Sequence, residues 1–181
     1  MNVEIANVVG SGDLHAELDL EALEEDLSTP YLEYDPSNYH GLYVRVEKDG
    51  PLITVYRSGK YIISGCSSYD ELNDTNEMFL RRLAELGVIN EGADTQFAVQ
   101  NIVCTASLGE DVDLNVLSIG LGLESVEYEP EQFPGLIYRP SSMDAVLLTF
   151  ANGKIVVTGS NDWEAANAAF EHLKSKVQKL V

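Results

Sequence analysis

Three histidines and two cysteines are the side chains of this 181-residue chain best suited to act as base, nucleophile or soft metal ligand. His15, His40 and His172 are dispersed, without the close spacing that brings ligands to one metal, and Cys66 and Cys104 stand alone without a C-x-x-C pair. No G-x-S-x-G turn or phosphate loop occurs, and carboxylate pairs arise by chance among thirty Asp and Glu. The chain is therefore expected to be no enzyme and to need no metal, cofactor or small-molecule substrate. The cysteines read as small buried apolar side chains of a reducing compartment. What remains is binding chemistry, carried by residues that recur in pairs: Asn7 with Asn101, Arg45 with Arg139, Lys60 with Lys154, and two aromatic couples of equal spacing, Tyr39 with Tyr56 and Phe133 with Phe150.

The pairs come from a duplication. Sliding the chain on itself by 94 residues without gaps aligns 5–87 with 99–181 and gives 19 identities in 83 positions. Asn7-Val8-Val9 meets Asn101-Ile102-Val103, Glu33-Tyr34-Asp35-Pro36 meets Glu127-Tyr128-Glu129-Pro130, and Gly41-Leu42, Arg45, Gly59-Lys60 and Gly65 meet Gly135-Leu136, Arg139, Gly153-Lys154 and Gly159. One unit was copied, so two similar repeats are expected, 1–90 and 95–181, related by a pseudo-twofold axis.

Each repeat reads alike. An apolar run opens it (Val3–Val9; Phe97–Thr105), and leucines at 20, 23 and 27, or at 114, 117 and 121, give a short helix. Four short strands follow, near 31–35, 41–47, 51–57 and 60–65 in the first repeat, separated by turn formers. The longest helix closes the unit. It starts at Ser68 with Leu72, Phe79, Leu83 and Leu86 as its stripe, and recurs over Asn161–Leu180 with Phe170, Leu173, Val177 and Leu180. That is an α+β unit of five strands and two helices, and two of them could join edge to edge into one antiparallel sheet with helices on one face. Alternation puts Lys60, Ile62 and Ser64, and likewise Lys154, Val156 and Thr158, on the bare face if Tyr61, Ile63, Ile155 and Val157 pack under the helices. Such a face, apolar and dotted with hydroxyls, is an interaction surface.

Charge points the other way at first. Eleven Lys and Arg against thirty Asp and Glu leave −19, with 45% hydrophobic residues and a pI near 4.2, so the chain is folded yet wrapped in negative charge. Taken alone, that balance argues against nucleic acid and anionic membrane as partners. No basic n-region with an apolar run behind it opens the chain, so a cytoplasmic protein is expected.

The sequence resembles the TATA-box-binding proteins, the archaeal branch most closely, through Val99-Gln100-Asn101-Ile102-Val103, the block from Glu127 to Arg139, and Gly153-Lys154-Ile155-Val156-Val157-Thr158-Gly159. The match runs through both repeats. It implies a saddle built of one curved antiparallel sheet of about ten strands, concave toward DNA and with four helices on the convex side. It also implies a general transcription factor that binds A·T-rich promoter DNA in the minor groove, bends it, and recruits transcription factor B and then RNA polymerase. Phe133 and Phe150 take the positions of the family's wedges, and Tyr39 and Tyr56 replace phenylalanine there, so their hydroxyls must find partners and the first wedge should be weaker or differently seated. Asn7 and Asn101 match the symmetric pair that donates to base acceptors at the centre of the site. Val9, Val103, Ile62, Val156, Ser64, Thr158 and Leu148 match apolar and hydroxyl contacts, while Thr54 stands where the second repeat has Leu148 and Ala6 where it has Gln100. Arg45, Arg139, Lys60 and Lys154 are assigned to phosphates. Glu129, Glu131 and Gln132 match the docking site for transcription factor B; the first-repeat counterparts Asp35, Ser37 and Asn38 keep one acid, so the second repeat should carry that partner.

Two other readings stay open: a divergent paralogue with altered promoter choice or weakened DNA binding, and a duplicated α+β module whose sheet holds an apolar ligand or peptide. The acid excess is uneven, −13 over residues 1–94 and −6 over 95–181. With so few lysines it suggests a nucleoid-associated protein of an archaeal cytoplasm rich in salt, where screening acts within about 3 Å at molar concentration.

Overall fold

The computed structural model describes residues 2–180. Ten strands and four α-helices alternate in the order β1 (Glu4–Asp13), α1 (Leu20–Asp26), β2 (Tyr31–Glu33), β3 (Leu42–Arg45), β4 (Leu52–Val55), β5 (Lys60–Cys66), α2 (Tyr69–Glu85), β6 (Ala98–Ser107), α3 (Leu114–Leu121), β7 (Val126–Glu127), β8 (Leu136–Tyr138), β9 (Val146–Thr149), β10 (Lys154–Ser160) and α4 (Trp163–Gln178). The five-strand, two-helix reading of each repeat holds, with antiparallel pairing in the orders β2-β3-β4-β5-β1 and β6-β10-β9-β8-β7. A 3₁₀ turn over Leu123–Ser125 has no counterpart in the sequence reading.

The helices start where a side chain can take up an orphan N–H. Asp19, Ser68, Asp113 and Asp162 each cap one, accepting from backbone amides in the first turn. Beneath α2 and α4 the strands alternate as the period-2 pattern requires: Tyr61, Ile63 and Cys66, and Ile155, Val157 and Ser160, are buried, while Ile62, Ser64, Val156 and Thr158 stay half-buried on the other face. Leu72, Phe79 and Leu83, and Phe170, Leu173 and Val177, complete the two cores, whereas Leu86 and Leu180 lie just past the helix ends and remain exposed. Both cysteines are buried and free, and burial raises both thiol pKa values, that of Cys66 to about 11.

Packing does not cut the chain where the repeats meet. Asn7–Gln100 form one compact unit, and the stretch up to Ala6 packs with the part from Asn101 onward. In that second part the Trp163 indole donates to the Val3 carbonyl at 3.0 Å. In the other, Tyr61 is the anchor: its ring stacks on Phe97 at 5.9 Å and its hydroxyl donates to Asn76 Oδ1 at 2.6 Å and contacts Thr95 Oγ1 at 2.9 Å. The first strand runs on to Asp13, beyond the apolar run, because Gly10 and Gly12 lie under the Phe97 and Tyr61 rings, where a Cβ would sit only 2.6 Å from ring or hydroxyl atoms.

Among the described residues one buried side-chain polar atom is unsatisfied: the Thr149 hydroxyl in the second core has no hydrogen-bond partner, at the position that is Val55 in the first repeat. Thr149→Val should therefore stabilise the protein by about 1–2 kcal/mol, read as a raised urea midpoint at unchanged m-value. Tyr61→Phe, which strands Asn76 and Thr95, should cost about 1–3 kcal/mol in the same assay.

Candidate nucleic-acid interface

In each unit the sheet face away from the helices is assembled by register. Directly paired residues of antiparallel strands point to the same side, so Ser11–Ile62–Thr54–Tyr43 form a row across β1, β5, β4 and β3, and Thr105–Val156–Leu148–Ile137 form its counterpart across β6, β10, β9 and β8. Beside these rows lie Leu52 with Ser64 and Val146 with Thr158. The register thus brings Thr54, Ile62 and Ser64 onto one face, and Leu148, Val156 and Thr158 onto the other. It adds Ser11, Tyr43 and Leu52, with Thr105, Ile137 and Val146, which the sequence reading missed. Extending the alternation through the strand pairing, not single positions, is the signal that finds them.

Val9 and Val103 sit where each ladder slips. Between Val8 and Gly10 the pairing passes from Cys66 to Ile63, so Ser64 and Gly65 oppose the single residue Val9; β10 repeats this with Thr158 and Gly159 opposite Val103. The extra residue is a glycine at positive φ, 87° in Gly65 and 85° in Gly159, and its N–H is freed from the ladder. An asparagine takes it up: Asn7 Oδ1 accepts from Gly65 N and Asn101 Oδ1 from Gly159 N, both at 2.9 Å. Anchoring the oxygen fixes the amide's orientation. The Nδ2 end of Asn101 lies 3.2 Å from Thr158 Oγ1, and that of Asn7 makes no hydrogen bond among the described residues. Each asparagine is half-buried; the donor end of Asn7 is unused among the described residues, and that of Asn101 donates to Thr158 Oγ1 and has one N–H left over.

The aromatic couples are built on two turns apiece. Phe150 N donates to Lys154 O and Gly153 N to Phe150 O, closing the β9–β10 hairpin; Tyr56 stands identically before β5. Gln132 N and Phe133 N both donate to Glu129 O, and Asn38 N and Tyr39 N both to Asp35 O, closing the loop before the partner ring. The rings meet edge to face, Phe133 with Phe150 at 5.9 Å and 68° and Tyr39 with Tyr56 at 6.3 Å and 73°. Both couples lie over a buried glycine. A Cβ on Gly135 would sit 2.8 Å from Phe133 and 3.0 Å from Phe150, and one on Gly41 would sit 2.9 Å from Tyr39.

The couples differ in chemistry. The Tyr39 and Tyr56 hydroxyls lie 2.8 Å apart, so each is the other's partner, and Tyr39 also stacks on Tyr43 at 5.5 Å and meets the His40 ring at 4.5 Å with a tilt of 49°. Phe133 and Phe150 have no such polar cluster, and Phe133 is 37% exposed. Burial, and then the Tyr39 hydrogen bond, push the Tyr56 phenol from its usual 10 up to about 12.

The basic residues are unequally placed. The Arg45 guanidinium donates to the Gly50 carbonyl and lies 5.8 Å from the Tyr31 ring centre, and Arg139 Nε lies 3.8 Å from Glu127. Lys60 and Lys154 are exposed at the strand starts. An open groove of about 800 Å³ beside Lys60 is bounded by Ser11, Glu21, Tyr34, Tyr56 and Ile62 among others. Glu129, Glu131 and Gln132 are exposed in the loop before Phe133, while Asp35 in the matching loop is held below the usual carboxylate pKa by bonds from Ser37.

Two copies of this geometry in one chain are what a duplicated family requires. The family model described as transcription factor TFIID (or TATA-binding protein, TBP) matches residues 2–86 and again 96–180. The chain belongs to that family. It is 68% identical to TATA-box-binding protein C of Halobacterium salinarum over the full length of both chains. It is 42% identical to TATA-box-binding protein 2 of Haloferax volcanii, over 99% of this chain and 95% of that one. Among solved structures it matches the Methanococcus jannaschii TBP with a TM-score of 0.83 at 32% identity, covering 99% of each chain, so the α+β fold is that of a TATA-binding protein throughout.

The tyrosine couple has a consequence for pH. A phenol with a raised folded-state pKa holds its proton longer than the unfolded chain does, so its contribution to stability is complete below pH 10 and is lost as pH rises toward 12. Tyr39→Phe removes one of the two main causes and should move the Tyr56 titration down toward 10, checked by ¹³Cζ-tyrosine NMR across that range.

Proposed function

We propose that this chain is a promoter-recognition factor that binds A·T-rich DNA through the minor groove with its two open sheet faces. The observation that carries this is the face itself: half-buried aliphatic and hydroxyl side chains around an asparagine whose oxygen is held by a bulge glycine. A minor groove of A·T pairs offers only the adenine N3 and thymine O2 acceptors and is shaped for apolar packing, so an outward amide donor on an apolar floor suits it. Phe133 with Phe150, and Tyr39 with Tyr56, act as wedges between base steps and bend the duplex.

Phosphate contact is thin. With Arg45 and Arg139 engaged by Gly50 and Glu127, Lys60 and Lys154 are the main cations of the two faces, and the acids on α2 lie on a helix packed against the other side of β5, while Glu21 of α1 borders the groove beside Lys60. Glu129, Glu131 and Gln132 dock the basic surface of transcription factor B, which brings RNA polymerase. The setting is the cytoplasm of a salt-rich archaeal cell; among the described residues no helix is long and apolar enough to cross a membrane.

Electrophoretic mobility shift with a TATA duplex and a scrambled one, across KCl and with or without transcription factor B, tests this. Binding should prefer the TATA duplex, strengthen with factor B, and hold or rise from low to molar KCl, because neutralising only about two phosphates releases few counterions. Absence of binding at every salt concentration would overturn the reading, and a steep fall in affinity with KCl would overturn its electrostatic part.

A further inference from the structure

The two open faces share a backbone and differ in hydrogen-bonding capacity. Around its aromatic couple the second repeat presents Phe133, Phe150, Leu148 and Ile137, none of which can accept a hydrogen bond. The same four positions in the first repeat are Tyr39, Tyr56, Thr54 and Tyr43, all of which carry a hydroxyl. The Tyr39–Tyr56 contact at 2.8 Å uses one of the two phenolic hydrogens, because one hydroxyl donates to the other. One O–H donor and several lone pairs remain on the couple, with the Thr54 hydroxyl on the strand beside it.

In the minor groove a G·C pair differs from an A·T pair by one group, the guanine N2 amino donor. Against an apolar wall that donor loses its water and gains no partner, which is why such a wall rejects it. Against a wall of hydroxyls it finds an acceptor. We infer that the first repeat is a specificity element that tolerates, or selects, G·C pairs in its half of the box through the Tyr39, Tyr56 and Thr54 hydroxyls, while the second repeat enforces A·T. This rests on the promoter-binding reading above. The preferred site is then asymmetric in base composition, and that asymmetry orients the protein on DNA.

The test uses the full chain at molar KCl and fluorescence anisotropy on an A·T-rich box in which each pair in turn becomes G·C or inosine·C, the latter lacking the N2 amino group. In one half of the box G·C should cost about tenfold in affinity and inosine·C should restore it. In the other half G·C should cost little, and inosine·C should bind no better than G·C.

Tyr39→Phe/Tyr56→Phe, with Tyr56→Phe as the milder variant and helical circular dichroism as the folding control, should make the tolerant half reject G·C, each penalty taken relative to the variant's own affinity for the all-A·T box. Phe133→Tyr/Phe150→Tyr should relax the strict half. Equal penalties in both halves for the native chain, or a profile that neither pair of substitutions moves, overturn the inference while leaving promoter binding intact. Failure to bind any duplex at any salt overturns promoter binding as well.

Discussion

Each repeat turns on a hydrogen bond between an asparagine carbonyl oxygen and a glycine N–H that a bulge has set free. Without the extra residue at Ser64-Gly65, strict alternation after Ile63 would bring Gly65 into the core and turn Cys66 outward. With it, Cys66 returns to the core, two residues ahead of the Ser68 cap that starts α2. Thr158-Gly159 does the same for Ser160 and α4. The bulge therefore lets a strand with one open face hand over to a helix packed on the other. The N–H it frees needs an acceptor, and the asparagine that supplies one is thereby held by its carbonyl oxygen, on the strand face opposite the buried Val8 or Ile102.

The duplication has kept the devices that shape the backbone and let the face chemistry drift. Asn7/Asn101, Gly41/Gly135, Gly59/Gly153 and Gly65/Gly159 are identical across the repeats, and each occupies a bulge, a turn or a position beneath an aromatic ring. Around the aromatic couple the residues that point away from the helices differ: Tyr for Phe twice, Tyr for Ile, Thr for Leu. The short helices differ as well. α3 exposes Val116 and Ile119 where α1 has Ala22 and Glu25, in keeping with the heavier acid load of the first repeat.

Much of this was legible in the sequence, because period-2 and leucine patterns report directly on which face is buried. The strands, both long helices, the pairing of sites across the repeats and the need for a partner at the Tyr39 and Tyr56 hydroxyls were all visible there. What escaped depended on contacts between distant segments. Tyr43 reads as an ordinary strand residue until register sets it beside Thr54 and under Tyr39. The apolar run Val3–Val9 gives no sign that the strand continues through Gly10-Ser11-Gly12, where the Phe97 and Tyr61 rings need the space. Arg45 and Arg139 read as cations for phosphates, and that one also reaches the Gly50 carbonyl and the other lies beside Glu127 comes from a turn and a neighbouring strand. The orphan hydroxyl of Thr149 is equally silent, since threonine suits a strand on propensity alone.

The alternation that made the fold readable also explains why the two faces could diverge. In β4, β5, β9 and β10 the core owns every second residue, and a change there disturbs packing under a helix at a cost of one to several kcal/mol, of order ~1–5. The intervening residues touch only one another and whatever lies on the face. A phenylalanine there can become a tyrosine with little penalty provided the new hydroxyl is satisfied, and in the first repeat two such changes satisfy each other across 2.8 Å. Either change alone would leave a partly buried hydroxyl without that partner. The couple is therefore best understood as a unit, and its cost to the fold is small compared with what a pair of hydroxyls can alter in a groove whose bases differ by a single donor.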